Sequence, residues 1–344
     1  MKRSVVFTFA IVAIVFGGAS YYLFETYEPI SVDPAWKIEG NAEIPPDAVT
    51  VRYTGTSTLL FSDGETTWML DGWFSRPGAF ELLWGEIEPD LDAIEYGLKM
   101  NGVDQLDVVI PIHSHYDHAM DSPEVARRTD AVLLGSESTA NIARGWGLSE
   151  PQIRVAKDRE TVSFGKFEIT LIETRHFQFP DPQMAELALA NPEITEPLVP
   201  PATVNDYRVG KAYAVHVKHP QGTWLIQGSA GFEEGALKDY PADTVFLGIG
   251  GLGTQTDAYR EMYWHETVEV PDGRRIIPVH WDSLTGPIHG PFTGPSRAEA
   301  LLGHDGEAEL RFLREKSEDD PNLEFIVLPR YERVVLYDAP TEAP

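Results

Sequence analysis

The sequence predicts one large α/β domain of layered sheets and helices, preceded by an apolar helix at the N-terminus. The 344 residues include 29 glycines and 26 prolines, which indicates many turns and therefore many short strands. Strand-like runs alternate with stretches typical of helices, and no repeat of fixed period is visible. Three apolar runs, at 107–112, 166–174 and 275–279, each lead directly to a histidine.

Composition excludes several classes of function. Hydrophobic residues make up 42% of the chain and charged residues 24%, which is typical of a folded globular protein. A net charge of -27 argues against a nucleic-acid partner, because no basic surface is left to replace its counterions. The net charge does not exclude a small anionic substrate, since a bound metal dominates the charge at its own site. The absence of cysteine excludes disulfides, thiolate ligands and a cysteine nucleophile, but leaves the compartment open.

The N-terminus carries an uncharged apolar segment over residues 5–24, just long enough to cross a bilayer. Two interpretations stay open, a membrane anchor and a cleaved signal peptide. Lys2 and Arg3 precede the segment and Glu25 and Glu28 follow it, which places the body outside the cytoplasm. We therefore expect an exported protein, periplasmic or otherwise extracytoplasmic, and anchored in the inner membrane if the segment is not cleaved.

The chain divides into three parts. Residues 1–28 form the signal peptide or membrane anchor, and the polar, proline-rich residues 29–48 are typical of a linker. Residues 49–340 form the folded domain. Within it, residues 177–206 are rich in proline and poor in strand character, which predicts either a lid over a site or a surface decoration.

Local patterns predict the elements of this domain in order. Short apolar or alternating runs between turn residues predict strands, at 50–54, 58–62, 66–71, 107–112, 131–135, 164–176, 211–219, 223–228, 244–248, 274–280, 324–328 and 333–337. The dipeptide Asp63-Gly64 predicts a hairpin. Longer stretches suited to helices lie at 80–100, 122–129, 136–146, 256–269 and 295–316.

The most informative stretch follows the buried run at 107–112. His113, His115, Asp117 and His118 lie within six residues, a dense cluster for a chain with ten histidines. In an extended backbone alternate side chains share a face, so the first three can converge on one point. His118 departs from that alternation, which indicates that the chain turns there. Imidazole and carboxylate ligands suit Zn²⁺, and also Fe or Mn.

Two more histidines follow apolar strands elsewhere in the chain, His176 and His280. Ligand sites in open α/β sheets form outside the carboxyl ends of strands, so both are expected to join the cluster. The glycine-rich run 248–253 lacks the companions of a phosphate loop, and instead predicts tight backbone packing near the site.

The H-x-H-x-D-H motif at 113–118, with His176 and with His280 inside the sequence IPVHWD, resembles the metallo-β-lactamase superfamily over residues 49–337. The resemblance implies a four-layer αβ/βα sandwich with a metal cleft at one edge of its sheets. The ending Pro-x-His-Trp-Asp is most similar to the branch that contains ascorbate-6-phosphate lactonase and N-acyl-phosphatidylethanolamine phospholipase D.

The resemblance also implies roles for individual residues. It implies a first metal held by His113, His115 and His176, and a second held by Asp117, His118 and His280. Asp71 corresponds to an acid that orients a ligand histidine. Ser229 stands where the superfamily keeps a bridging aspartate. We therefore expect the second metal to bind more weakly, or Asp282 or water to compensate.

The expected activity is hydrolysis of an ester, lactone or phosphodiester by a metal-activated hydroxide, in a small-molecule or lipid-like substrate. Asp117 is expected to orient the hydroxide and carry its proton. Tyr116 and Trp281 adjoin ligands and are expected either to line the pocket or to pack in the core, and His289 is expected to face the cleft. One alternative is a catalytically impaired, metal- or ligand-binding protein in which Ser229 marks a decayed site. Another is redox use of a di-iron site.

Overall fold

The computed structural model describes residues 17–179, 182–301 and 304–338. Two seven-stranded sheets form its centre. The strands are β1 Val49–Gly55, β2 Thr58–Ser62, β3 Thr67–Leu70, β4 Val108–Ile110, β5 Val132–Gly135, β6 Ile153–Val155, β7 Thr161–Phe164, β8 Phe167–Thr174, β9 Ala212–His219, β10 Gly222–Gln227, β11 Thr244–Gly248, β12 Arg275–Val279, β13 Glu324–Phe325 and β14 Val334–Tyr337.

Each sheet changes from antiparallel to parallel pairing along its width. The first has the order β14-β1-β2-β3-β4-β5-β6 and becomes parallel from β3 onward. The second has the order β13-β12-β11-β10-β9-β8-β7 and is parallel from β10 to β13. The last strand, β14, returns to pair with β1 through Val49 and Tyr337. The predicted hairpin at Asp63 joins β2 to β3.

Helices alternate with the strands along the chain. They are α1 Ala79–Trp84, α2 Leu91–Asn101, α3 Tyr116–Ala119, α4 Ser122–Thr129, α5 Glu137–Trp146, α6 Pro182–Leu189, α7 Asp257–Trp264, α8 Arg297–Leu301 and α9 Gly306–Asp319, with a π-helical turn His265–Glu269 after α7. Helices α2, α4 and α5 pack on the first sheet through an apolar cluster that includes Leu98, Val125 and Ala143. Helices α7 and α9 belong to the same apolar core as the second sheet.

The core between the sheets is built on stacked aromatic rings. Phe61 of β2 stacks on Trp68 of β3 with 4.5 Å between ring centroids, and on Trp224 of β10 with 5.4 Å. All three side chains are fully buried. Rings of this size bury 150–250 Å² each, which holds the two sheets together. Two stacked sheets with helices packed against each confirm the predicted four-layer αβ/βα sandwich.

Two helical stretches are divided where the sequence analysis predicted continuous helices. The stretch 80–100 contains α1 and α2 on either side of Pro89, whose missing N–H and ring do not fit a helix interior. The predicted helix 295–316 is wrong as one element, because it consists of α8 and α9. Asp305 starts the second of these by accepting a hydrogen bond from the amide of Ala308 at 3.0 Å.

The N-terminal residues lie in part outside the described ranges. Of the apolar segment 5–24, residues 17–24 are helical and 5–16 fall among the residues that the structure does not describe. Within the described ranges, no helix combines the length and apolar character needed to span a bilayer. The segment predicted as a linker lies against the domain, since Trp36 is buried and stacks on Phe325 at 4.9 Å.

Candidate metal centre

The predicted histidines all lie beyond the carboxyl ends of strands, at one edge of the two sheets. Strand β4 leads into His113, and β8 and β12 lead into His176 and His280. His115 is the N-cap of the short helix α3, which contains Asp117 and His118. The turn into α3 explains why His118 departs from the strand alternation. The sheet topology therefore brings three distant parts of the chain to one place.

The potential ligands form two adjacent groups, which we call trio 1 (His113, His115, His176) and trio 2 (Asp117, His118, His280). Within each trio one potential ligand atom per residue lies within 4.8 Å of the others. In trio 1 the His113 Nε2 and His115 Nδ1 atoms are 3.2 Å apart. In trio 2 Asp117 Oδ2 lies 3.4 Å from His118 Nε2 and 3.2 Å from His280 Nε2. The rings of His113 and His118 lie 3.9 Å apart, so the trios adjoin.

Protonation of the buried groups favours cation binding. Burial and the neighbouring imidazoles hold the pKa values of His113 and His176 well below 6.5, so both rings are neutral and offer lone pairs. For Asp117, burial alone would raise the pKa, but the charge of His118 and the hydrogen bond to His280 lower it well below its usual range. A carboxylate with neutral imidazoles is a donor set that fits Zn²⁺, Fe or Mn.

A buried network lies behind His118. Its Nδ1 atom is 2.8 Å from Asp71 Oδ2 and 3.0 Å from Ser57 Oγ, and Ser57 Oγ donates to the same carboxylate at 2.5 Å. The other oxygen of Asp71 accepts from the amide of Ile112 at 2.9 Å. This network fixes the ring of His118 with Nε2 directed towards Asp117. Asp71 thus lies where the resemblance placed an orienting acid, and Ser57 is a partner that the sequence analysis missed.

Two other polar residues near the centre have distinct surroundings. Ser229 is buried, and its Oγ accepts a hydrogen bond from the amide of Phe177 at 3.3 Å, one residue beyond His176. Asp282 does not lie in either trio. Its Oδ1 accepts from the amide of Thr56 at 2.6 Å and from the hydroxyl of Tyr53 at 3.1 Å. The carboxylate of Asp282 thus binds a turn in this structure, and compensation by Asp282 or by water stays a prediction.

The expected pocket residues separate into three cases. Trp281 is buried, and its indole N–H donates to the carbonyl of Pro278 at 3.1 Å, so it belongs to the core and does not line a pocket. His289 is exposed in the loop after β12 and belongs to neither trio. Tyr116 is half-buried at the start of α3, next to Asp117, and contacts Trp73 edge-on at 5.9 Å.

His304 and Glu309 were not predicted to lie near the centre. The ring of His304 is 6.2 Å from that of His280, and its Nε2 is 3.6 Å from Glu309 Oε2. Glu309 is fully buried and accepts from the amide of Gly251 at 2.7 Å. Burial raises the pKa of Glu309 well above its usual value. No short-range pattern marked either residue, because the contact depends on where α9 packs.

The glycine-rich run after β11 has the packing role that was predicted. A Cβ at Gly250 would lie 2.5 Å from His280 Nδ1, and one at Gly248 would lie 2.6 Å from the backbone of Gly228. On the other side of the centre, Phe177 and Phe179 stand beside the ring of His176, with centroids at 4.6 and 6.1 Å. Backbone therefore closes one wall of the centre, and aromatic rings form another.

Solved structures share the fold. Igni18, described as a novel metallo hydrolase from the archaeon Ignicoccus hospitalis, is 16% identical with a TM-score of 0.52, over 85% of this chain and 100% of that one. A "possible metal-dependent hydrolase" from Veillonella parvula is 13% identical with a TM-score of 0.50, over 84% and 100%. The metallo-β-lactamase fold protein YhfI from Bacillus subtilis is 13% identical with a TM-score of 0.46, over 83% and 98%. No family model and no curated protein matches the chain.

Proposed function

We propose that this protein is a metal-dependent hydrolase that cleaves an ester, lactone or phosphodiester bond at trio 1 and trio 2. The observation that carries the proposal is the convergence of six potential ligands from three distant parts of the chain. Six converging ligands indicate a metal site much more specifically than a single histidine does. They also lie in a fold shared with solved metallo-hydrolases. Zinc is the ion that we propose, with Fe or Mn as the other candidates.

The chemistry of the site divides between the ions and the chain. Divalent ions held by the two trios would lower the pKa of a water molecule and polarise the oxygen of the bond that is cleaved. Asp117 Oδ2 lies between the two histidines of trio 2, and this carboxylate would orient such a water molecule and accept its proton. His115 and His280 are the partly exposed members of the trios, so the substrate approaches on their side.

The aromatic side chains beside trio 1 indicate what kind of substrate the site accepts. The rings of Phe177 and Phe179 contact each other at a tilt, with 4.6 Å between centroids, and both are only partly buried. Aromatic faces next to reacting groups favour a substrate with an apolar part, such as an acyl or alkyl chain. We therefore propose a lipid-like or other partly apolar substrate. We also propose that the protein acts outside the cytoplasm, on the charge pattern around residues 5–24.

A second function is favoured by Ser229. Asp117 is the one carboxylate among the six residues of the two trios, so two dications would be poorly neutralised. A protein that binds metal or ligand without turnover is the alternative that follows from this shortage of negative charge.

Turnover assays separate the two functions. The zinc-loaded protein should hydrolyse at least one of three probes, a p-nitrophenyl phosphodiester, a p-nitrophenyl ester of a medium-length fatty acid, or a simple lactone. Dipicolinate should remove that activity and added Zn²⁺ should restore it, whereas His115→Ala should stay inactive with zinc. Activity that survives both dipicolinate and His115→Ala would contradict the proposal. Tight metal binding without turnover of any probe would favour the alternative.

A further inference from the structure

The two histidines of trio 2 are supported by the same short turn. Thr56 and Ser57 connect β1 to β2, and both are fully buried. Ser57 contacts His118, as described above. The carbonyl of Thr56 accepts a hydrogen bond from the amide of His280. One two-residue turn therefore contacts the imidazole of His118 and the backbone amide of His280.

The turn is fixed by Asp282. This carboxylate is 1% exposed, and through Oδ1 it binds the amide of Thr56 at 2.6 Å and the hydroxyl of Tyr53 at 3.1 Å. The hydroxyl of Tyr53 also lies 2.9 Å from the carbonyl of Thr56 and 3.3 Å from the amide of His280. Asp282 follows His280 by two residues. The turn therefore binds the residues after β12 through the amide of His280, and those residues bind the turn through Asp282.

The backbone at these contacts has unusual conformations. Thr56 has a φ of 53° and His280 a φ of 59°, values that side chains other than glycine seldom adopt. Gly55 has a φ of 137°, and a Cβ there would lie 2.5 Å from Asp282 Oδ2. Such conformations persist when surrounding contacts determine them, and they cluster at functional sites. Here the surrounding contacts are those of Asp282 and the turn.

We infer that the Thr56–Ser57 turn is a positioning device for trio 2, in which Ser57 aligns His118 and Asp282, acting through Thr56, aligns His280. Neither Ser57 nor Asp282 belongs to either trio. Ser57 contacts the ring of His118, and the contacts of Asp282 fix the backbone that carries the ring of His280. The inference rests on the proposed function, because it requires that trio 2 binds a metal.

The test is titration of the metal-free full-length protein with ZnCl₂ by calorimetry. Wild type should show a tighter and a weaker binding event, and His280→Ala should identify the weaker one by removing it. Asp282→Ala and Ser57→Ala should weaken that event by about 10- to 100-fold, the usual effect of losing an outer partner of a ligand, and leave the tighter event unchanged. Asp282→Asn should recover part of the loss, because its amide oxygen can still accept from Thr56.

The matched control is Asp63→Ala at the other end of β2. Asp63 is also a buried carboxylate that holds a turn, accepting from the amides of Glu65 at 3.0 Å and Thr66 at 2.7 Å. This variant should destabilise the fold and leave both zinc events unchanged.

Several outcomes would overturn the inference. They are an unchanged weaker event in folded Asp282→Ala, equal weakening of both events, or a single zinc event in wild type. If Asp282→Ala does not fold, an unchanged weaker event in Ser57→Ala would overturn the inference in its place. A wild type that binds no zinc would instead overturn the proposed function.

Discussion

Asp117 is the residue on which the chemistry of the site depends most. Its Oδ2 atom lies within 3.4 Å of two imidazoles of trio 2, and their charges keep its pKa well below the usual range of a carboxyl. It is therefore ionised at neutral pH. A carboxylate so placed can both hold an ion and accept a proton from water.

Replacing Asp117 by asparagine should separate metal binding from turnover. Asp117→Asn keeps the shape of the side chain but removes the negative charge, while trio 1 is unaffected. We expect the tighter metal to be retained and kcat to fall by about 10²-fold or more. Steady-state kinetics with metal analysis of the same sample measures both. A fully active Asp117→Asn would show that this carboxylate has no part in proton transfer.

Ser229 offers the complementary experiment, in which a charge is added. If the missing carboxylate weakens the second ion, Ser229→Asp should tighten the weaker zinc event while the tighter one changes little. Zinc titration of both proteins compares the two events. Two tightly held ions in wild type, with no gain from Ser229→Asp, would contradict the hypothesis that this serine limits metal binding.

His304 should make the stability of the metal-free protein depend on pH. Burial, with the nearby charge of His280, lowers its pKa from 6.5 to about 4. Below pH 6.5 the unfolded chain binds a proton there that the folded chain does not bind until about pH 4. Stability from this group is therefore complete above pH 6.5 and falls with pH, by roughly 2 kcal/mol between pH 7 and pH 5.

Urea unfolding of metal-free wild type and His304→Gln at the two pH values tests this. The variant should lose less stability between pH 7 and pH 5. His113 and His176 change stability in the same direction, so some pH dependence should remain. Equal losses in both proteins would show that His304 is not the group that titrates.

At the scale of elements, the sequence predicted what is local and missed what depends on packing. The strands that lead to His113, His176 and His280 were predictable, because each is a short apolar run. The contacts of Asp282 with Thr56 and of His304 with His280 were not, because more than 20 residues separate each pair and no pattern links them. The six residues of the trios came from a motif and a resemblance, which carry long-range information that periodicity lacks.

The segment around Trp36 makes the clearest prediction at this scale. A linker would contribute nothing to stability, but Trp36 is 6% exposed and stacks on Phe325. Trp36→Ala should lower the free energy of unfolding by about 3 kcal/mol or more, the usual cost of deleting a buried large aromatic ring. Trp84→Ala is the control, since Trp84 is 68% exposed and its loss should cost about 0.5 kcal/mol or less. Equal, small effects in urea unfolding would mean that the segment is only a tether.

At the scale of the whole molecule, the fold explains how a chain with a net charge of -27 builds a site for cations. The two sheets pack through Phe61, Trp68 and Trp224, which brings the carboxyl ends of β4, β8 and β12 to one edge. Imidazoles, rather than the many carboxylates of the surface, are collected there. Because the trios require both sheets, the site forms only when the two halves of the chain are packed together.

The most direct measurement is elemental analysis of the protein purified without added metal, beside the His115→Ala variant. The account predicts a divalent transition metal at about one ion or more per chain in wild type, and its loss together with activity in the folded variant. Wild-type protein that holds no metal even after incubation with Zn²⁺ and dialysis would contradict it. The same metal content in His115→Ala as in wild type would contradict it equally.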